Sequence, residues 1–163
     1  MGKVWLRFVT ESGFTSRMIQ WFTWSDFSHV DFLLRDGRFL GARFEGGVQI
    51  RPHDYLTPSV FKYAYVEVDD PRKVYGWATS QLGKPYDWRA ILGFLPREDW
   101  HEPGHWFCSE LCAAALEQAG HPIVDRAASR ITPETAFESV EVKKIDGLPA
   151  FFSTSGWAHR WTS

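Results

Sequence analysis

The sequence predicts one α+β domain, and three observations lead to this fold class. Five segments are rich in β-branched and aromatic residues or alternate between apolar and polar residues, which is typical of strands. The pair Asp36-Gly37 predicts a tight hairpin turn, and therefore antiparallel pairing of the strands on either side. An alanine-rich segment after residue 107 has the composition of a helix. A chain of 163 residues suits one domain, so a sheet with a few helices on one side is expected.

The strands are expected mainly in the first half of the chain. They cover residues 3–10, 28–35, 38–44, 48–51 and 61–68. Residues 61–68 (FKYAYVEV) have the strongest strand pattern, and Gly46-Gly47 precedes the fourth strand.

Helices are predicted from their start and stop signals. They cover residues 16–21, 71–81, 108–119 and 132–137, with an irregular segment at 84–106. Pro71 stands at the first turn of the second helix and Gly83 lies just beyond its end. Thr132 caps the last one, and Gly120 ends the alanine-rich one.

Composition narrows the function classes. A formal net charge of −2 gives no support to nucleic-acid binding, which normally needs a strongly basic face. Thirteen Phe, nine Trp and five Tyr are enough to line a groove as well as to fill a core. No apolar run approaches the roughly 18 residues of a membrane span, and the N-terminal residues do not resemble a signal peptide. We expect synthesis in the cytoplasm, with delivery to a virion or to the periplasm by other means.

Cys108 is the first candidate for chemistry because it opens the alanine-rich helix. The positive end of the helix dipole and the free N–H groups favour a thiolate there, and they also suit an oxyanion. The alternative is a buried structural cysteine, which is the better account of Cys112 one turn later. The two are four residues apart in a helix, a spacing that is poorly suited to a disulfide, so both are predicted to be thiols.

His29 is the second candidate. On a strand, His29 and Asp31 project from one face while Val30 and Phe32 project from the other. Close to a cysteine, a histidine serves as the general base that activates the thiol. A purely structural histidine is the alternative.

Three segments together resemble the circularly permuted NlpC/P60 hydrolases, the papain-like group that includes YiiX and YaeF. They are Ser28-His29-Val30, Gly83-Lys84-Pro85-Tyr86, and Phe107-Cys108-Ser109-Glu110-Leu111. Their order, with the histidine first and the cysteine last, is the permuted order. The resemblance spans roughly residues 5 to 137. It implies a papain-like α+β fold in which a central antiparallel sheet packs against a nucleophile-bearing helix, with Cys108 as nucleophile, His29 as base and Tyr86 as an oxyanion donor.

One position departs from the family pattern. The polar residue that orients the histidine falls on Gly41, which has no side chain. Asp31, on the same strand face as His29, is the first choice to replace it, and Glu45 and Gln49 lie nearby in sequence. Loss of an orienting group can cost several orders of magnitude in rate, so a weakened or inactive site is the alternative.

The remaining candidates concern substrate and metal. We assign substrate contacts to Trp106, Glu45 and Ser109. The spacing of His101, His105 and Cys108 is a weaker pattern for zinc, without an obvious fourth ligand; we expect no metal and no cofactor. The arginines of the hairpin are expected either to hold an acidic ligand or, more simply, to form a solvated strand face. They are Arg35, Arg38, Arg43 and Arg51.

The predicted function is hydrolysis of an amide bond in bacterial cell-wall peptide, carried out by a domain at residues 1–145. Residues 146–163 form an aromatic tail that packs on the domain or docks on a partner, such as a phage tail protein. Two alternatives remain: a non-catalytic binding subunit of a phage tail that keeps the fold, and an acyl-lipid hydrolase or acyltransferase. The expected partners are a peptide or peptidoglycan fragment and virion proteins, with no nucleic acid and no membrane span.

Overall fold

The computed structural model describes residues 1–10, 26–87, 104–125 and 131–153. The predicted helix at 16–21, most of the irregular segment at 84–106, and residues 154–163 of the tail lie outside these ranges. Both cysteines are free thiols, as predicted. No helix within the described ranges is long and apolar enough to cross a membrane.

The described strands form one antiparallel sheet in the order β4-β3-β2-β1-β5-β6. They are β1 (Gly2–Thr10), β2 (His29–Leu33), β3 (Phe39–Arg43), β4 (Gly47–Arg51), β5 (Val60–Val68) and β6 (Lys143–Ile145). The predicted hairpin joins β2 to β3, and Gly37 adopts the positive φ of 84° that its turn requires. The prediction of an α+β domain with an antiparallel sheet is confirmed.

Three of the four described helices begin within one residue of their predicted starts. They are α1 (Pro71–Ser80), α2 (Cys108–Gln118), α3 (Pro133–Glu138) and α4 (Ala150–Ser153). The side chains of Asp70 and Thr132 accept N–H bonds at the starts of α1 and α3. At the start of α2 the Glu110 carboxylate accepts the Phe107 N–H at 3.1 Å. This bond fixes the residue at which the helix begins, and therefore the position of Cys108.

The two faces of the sheet have different cores because side chains alternate along a strand. On β1, Val4, Leu6 and Phe8 belong to the main core, which also contains the buried residues of α1 and α2. Residues of the other face, such as Leu33 and Phe39, form a second and smaller cluster. The central strand β2 is therefore buried along its whole length.

Two described elements were not predicted, β6 and α4. The sequence of β6, Lys-Lys-Ile, has too little apolar alternation to indicate a strand; its pairing with β5 defines it. In α4, the Phe151 ring contacts Trp5 at 5.5 Å between ring centroids. The first part of the predicted tail thus packs on the second face, while the domain boundary at residue 145 stays a prediction.

The outer edge of β4 is tied to the segment that precedes the candidate site. Val48 N–H donates to the Lys84 carbonyl and Gly83 N–H donates to the Val48 carbonyl, both at 2.9 Å. Gly47 allows this approach, because its φ is +65° and an added Cβ would overlap the Lys84 carbonyl oxygen. The backbone from Pro85 to Asp87 then bonds to Trp106, two residues before Cys108.

We expect Gly47→Ala to destabilise the fold more than Gly83→Ala. Both glycines have positive φ, which costs an alanine about 1–2 kcal/mol, but a Cβ at Gly83 meets nothing within 4 Å. The backbone overlap at Gly47 adds about 1–3 kcal/mol of unfolding free energy. Urea denaturation followed by circular dichroism measures the difference, and equal midpoints for the two variants would contradict the proposed close approach.

Candidate active site

Cys108 occupies the first position of α2 and is fully buried. Two backbone N–H groups interact with its thiol, that of Ser109 in the helix and that of Val30 on β2. The thiol is therefore held between the beginning of the helix and the strand position that directly follows His29.

Burial controls the acidity of this thiol. It raises the pKa of Cys108 to about 12, and the nearby charge of Asp31 acts in the same direction. The N–H groups of Val30 and Ser109 and the charge of Arg43 lower the pKa, but by less. The helix terminus favours the thiolate, as expected, but in this structure desolvation outweighs that effect.

His29 and Asp31 lie on one face of β2, as the alternation of the strand predicts. His29 Nε2 and Asp31 Oδ1 are 2.7 Å apart, and both side chains are almost fully buried. An ionised carboxylate only accepts hydrogen bonds, so the proton of this bond lies on Nε2. In the neutral imidazole, Nδ1 is then the ring nitrogen that carries the lone pair.

Gly41 is what makes room for Asp31. A Cβ added at Gly41 would overlap Asp31 Oδ1. The carboxylate therefore occupies the space in which a side chain at position 41 would lie. The position that the family pattern gives to an orienting side chain is filled here from the neighbouring strand, by the residue that also bonds to His29.

The second oxygen of Asp31 has partners of its own. Arg7, directly opposite Asp31 on β1, donates to Oδ2 at 3.0 Å, and the Tyr55 hydroxyl donates to Oδ2 at 2.6 Å. Burial alone would raise the pKa of Asp31, but His29, Arg7 and Tyr55 together hold it far below its usual range. Asp31 is therefore ionised at every pH at which the protein would work.

The thiol contacts the backbone of β2 at Val30, next to His29 and beyond the paired residues of the β2–β3 ladder. The ladder between β2 and β3 consists of Phe32–Leu40 and Leu33–Phe39, at the end away from His29. Cys108 shares the main core with Val30 and Phe32, whereas His29 and Asp31 project from the opposite face. The backbone N–H groups of Val30 and Ser109 contact the thiol, and the Val30 contact brings it to the residue that directly follows His29.

Tyr86 lies close enough to Cys108 for the two side chains to interact electrostatically. It is buried, and its ring is 5.7 Å from Phe107 and 6.3 Å from Phe44. Burial, followed by the proximity of Cys108, raises the pKa of Tyr86 well above its ordinary value. The hydroxyl thus remains a neutral donor, which is the state needed to stabilise an oxyanion.

The three predicted substrate contacts are placed differently from one another. Trp106 is half-buried and its ring packs edge-on against Trp77 at 5.4 Å. Glu45 is exposed in the turn between β3 and β4. Ser109 is fully buried and its hydroxyl donates to the Ile131 carbonyl, so in this structure it fastens α2 and does not face a groove.

Sequence reasoning missed two residues around the site, Arg7 and Tyr55, and gave Arg43 a different role. The sequence could have indicated Arg7, because this charged residue interrupts the apolar pattern of the first strand. Tyr55 follows β4 in a segment that has no periodic pattern. Arg43 was grouped with the hairpin arginines, and its charge acts on Cys108 and Tyr86.

Two of the other hairpin arginines, Arg51 and Arg38, have structural partners. Arg51 donates to three carbonyls of the β3–β4 hairpin, those of Gly41, Glu45 and Gly47, and Arg38 pairs with Asp36. The Arg51 contacts stabilise the β3–β4 hairpin, and the Arg38–Asp36 pair stabilises the turn between β2 and β3.

The described residues do not fit a metal ion. No group of three or more His, Cys, Asp and Glu side chains is arranged to hold one within these ranges. His101, the first residue of the weaker zinc pattern, lies outside them. Around Asp31, the adjacent guanidinium of Arg7 opposes a second cation.

Comparison with known proteins gives a likeness of fold. No family model matches the chain, and no curated protein matches it. A solved structure does match: the metalloprotein YiiX from Escherichia coli O157:H7, described as DUF1105, with a TM-score of 0.66 and 18% identity. The match covers 90% of this chain and 97% of that one. The fold of this chain is thus similar to that of YiiX over nearly the whole length of both.

Proposed function

We propose that this protein is a papain-like cysteine hydrolase of the permuted NlpC/P60 type, which cleaves an amide bond. Cys108 is the nucleophile, His29 the general base, and Asp31 the residue that orients His29. The observation that carries the proposal is the 2.7 Å bond between His29 and Asp31 in the space left by Gly41. A buried histidine–carboxylate pair near a cysteine at a helix N-terminus supports nucleophilic catalysis.

The raised pKa of Cys108 decides the order of the proton transfers. At neutral pH the thiol is protonated, so the proton passes to His29 Nδ1 as sulfur attacks the carbonyl carbon. The Asp31 carboxylate stabilises the imidazolium that forms. His29 then returns the proton to the leaving amine, and water hydrolyses the thioester while His29 again serves as the base.

The proposed oxyanion donors are two groups near the thiol. They are the Ser109 N–H at the beginning of α2 and the Tyr86 hydroxyl. Removal of one such donor costs about 100- to 1000-fold in turnover in known hydrolases.

The substrate we propose is a peptide amide of the bacterial cell wall. Its support is the resemblance of the three segments around His29, Tyr86 and Cys108, together with the shared fold. The same arrangement of cysteine and histidine also suits an acyl ester or amide of a lipid, which is the alternative substrate class.

One observation favours a second function, a non-catalytic binding subunit. The Cys108 thiol is fully buried, and this burial strongly disfavours its ionisation. A site in which it never becomes accessible would retain the fold as a scaffold for a partner.

The proposed activity is tested by digesting purified peptidoglycan fragments and identifying new amines and carboxylates by mass spectrometry. We expect Cys108→Ala and His29→Ala to reduce hydrolysis at least about a thousandfold, as loss of a nucleophile or base does in other hydrolases. Cys112→Ala is the matched control, since this thiol lies one turn deeper in the main core. Equal hydrolysis by Cys108→Ala and Cys112→Ala proteins would refute the assignment of the nucleophile.

The pH dependence of alkylation distinguishes the two candidate functions. In Cys112→Ala protein, we expect iodoacetamide to label Cys108 slowly at pH 7, with a midpoint above the free-thiol value of about 8.5. For the hydrolase, His29→Ala slows labelling further below that midpoint because the base is lost. Labelling that occurs only on unfolding, with no effect of His29, would favour the binding subunit; a midpoint below pH 7 would contradict the buried thiol.

Gly41→Ala tests whether Asp31 replaces the missing side chain. The new Cβ displaces Asp31 Oδ1, so we expect the rate of hydrolysis to fall at least about tenfold and the unfolding free energy to fall by about 1–3 kcal/mol. Gly76→Ala, in α1, is the control, because its Cβ meets nothing within 4 Å and should stabilise the helix by about 0.5–1 kcal/mol. Undiminished hydrolysis in Gly41→Ala would show that Asp31 does not orient the base.

A further inference from the structure

The two oxygens of Asp31 are divided between two tasks. Oδ1 bonds to His29 Nε2, while Oδ2 accepts from both Arg7 and Tyr55. Gly41 has no Cβ that would block rotation of the Asp31 carboxylate about χ2. Something else must keep Oδ1 pointed at the histidine.

Arg7 alone does not fix the orientation of the Asp31 carboxylate. It bonds to Asp31 through one terminal nitrogen, and its buried Nε has no hydrogen-bond partner among the described residues. The guanidinium lies 3.3 Å from the centre of the Phe39 ring, so it is held chiefly by stacking. A single contact balances the charge of the carboxylate but does not fix its plane, as a two-bond fork would.

We propose that Tyr55 is a positioning residue, whose hydroxyl fixes the Asp31 carboxylate so that Oδ1 remains aligned with His29. The inference rests on the proposed hydrolase, in which His29 is the base. Nothing in the family resemblance points to position 55, and the Tyr55 hydroxyl gives the shorter of the two bonds to Oδ2, at 2.6 Å.

The surroundings of Tyr55 suit this role. Its ring packs on Phe39 with centroids 6.1 Å apart, and the guanidiniums of Arg7 and Arg43 each lie 5.2 Å from the ring. Burial, reinforced by the charge of Asp31, raises the pKa of Tyr55 far above its usual range, so its hydroxyl always carries the proton that it donates. Tyr55 follows β4, and this bond therefore ties the outer hairpin to the strand that carries the base.

The test compares Tyr55→Phe with Tyr65→Phe. Both changes remove one hydroxyl, but Tyr65 lies on β5, packs against Trp5 and has no bond to Asp31 in the described structure. We expect Tyr55→Phe to lower kcat about tenfold to a hundredfold, the effect of losing one hydrogen bond to a charged group, with KM unchanged. Tyr65→Phe should leave both constants unchanged.

A second readout is independent of activity. Nitrogen-15 NMR of the imidazole, assigned with the His29→Ala spectrum, follows exchange of the Nε2 proton with solvent. We expect a slowly exchanging proton in wild type and Tyr65→Phe, and at least about tenfold faster exchange in Tyr55→Phe, the lower end of the effect of losing one hydrogen bond to a charged group.

The two readouts separate the two proposals. Absence of hydrolysis in the wild type refutes the proposed function. The exchange rates of the His29 Nε2 proton still test the positioning role of Tyr55. Equal exchange in the two phenylalanine variants overturns the positioning role even if the wild type is active. Should Tyr55→Phe fail to fold, a slowly exchanging Tyr55 hydroxyl proton in the wild-type spectrum supports the bond to Asp31, and its absence overturns the role.

Discussion

The site depends on one buried negative charge, that of Asp31. A carboxylate in the interior is tolerated only with partners that replace water, and here each partner comes from a different element. Arg7 is its cross-strand neighbour on β1, His29 precedes it by two residues on β2, and Tyr55 reaches it from beyond β4. Gly41 on β3 provides the remaining requirement, which is empty space. The identities of these residues are therefore coupled, because a change at any of them removes a partner of the buried Asp31 charge or the space that it occupies.

The same burial that strengthens these contacts weakens the acidity of the proposed nucleophile, Cys108. Coulomb interactions grow as the local dielectric falls, which benefits the pairs around Asp31. The Cys108 thiol lies in the same interior, where ionisation is penalised, and the negative charge of Asp31 adds to the penalty. A helix N-terminus contributes only partial charge over one turn, which is too little to compensate. In the proposed hydrolase a base would therefore remove the thiol proton during attack, because no preformed thiolate is available.

The general fold could be predicted from the sequence because its signals are local. The strand at Gly2–Thr10, the hairpin at Asp36-Gly37 and the helix at Cys108–Gln118 each follow from alternation, turn residues or alanine content. The pairing of His29 with Asp31 also follows, since a period of two places them on one face. Tyr55 could not be found, because its contact with Asp31 spans 24 positions and depends on where β4 ends. Strand β6 was missed for a similar reason: its two lysines indicate no strand until β5 is beside them.

Whether the missing polar residue at Gly41 indicates an inactive site can be argued from energetics. A fold that serves only as a scaffold gains little from a buried ionic cluster, since apolar side chains of similar volume are often as stable or more so. Here the cluster is nearly complete, with both oxygens of Asp31 occupied and one of them bonded to His29. Glycine at position 41 is also the residue that Asp31 requires in order to fit. Loss of function would explain the absence of a side chain at Gly41, but it would not explain why the space is occupied by a carboxylate bonded to the candidate base. A relocated orienting group explains both.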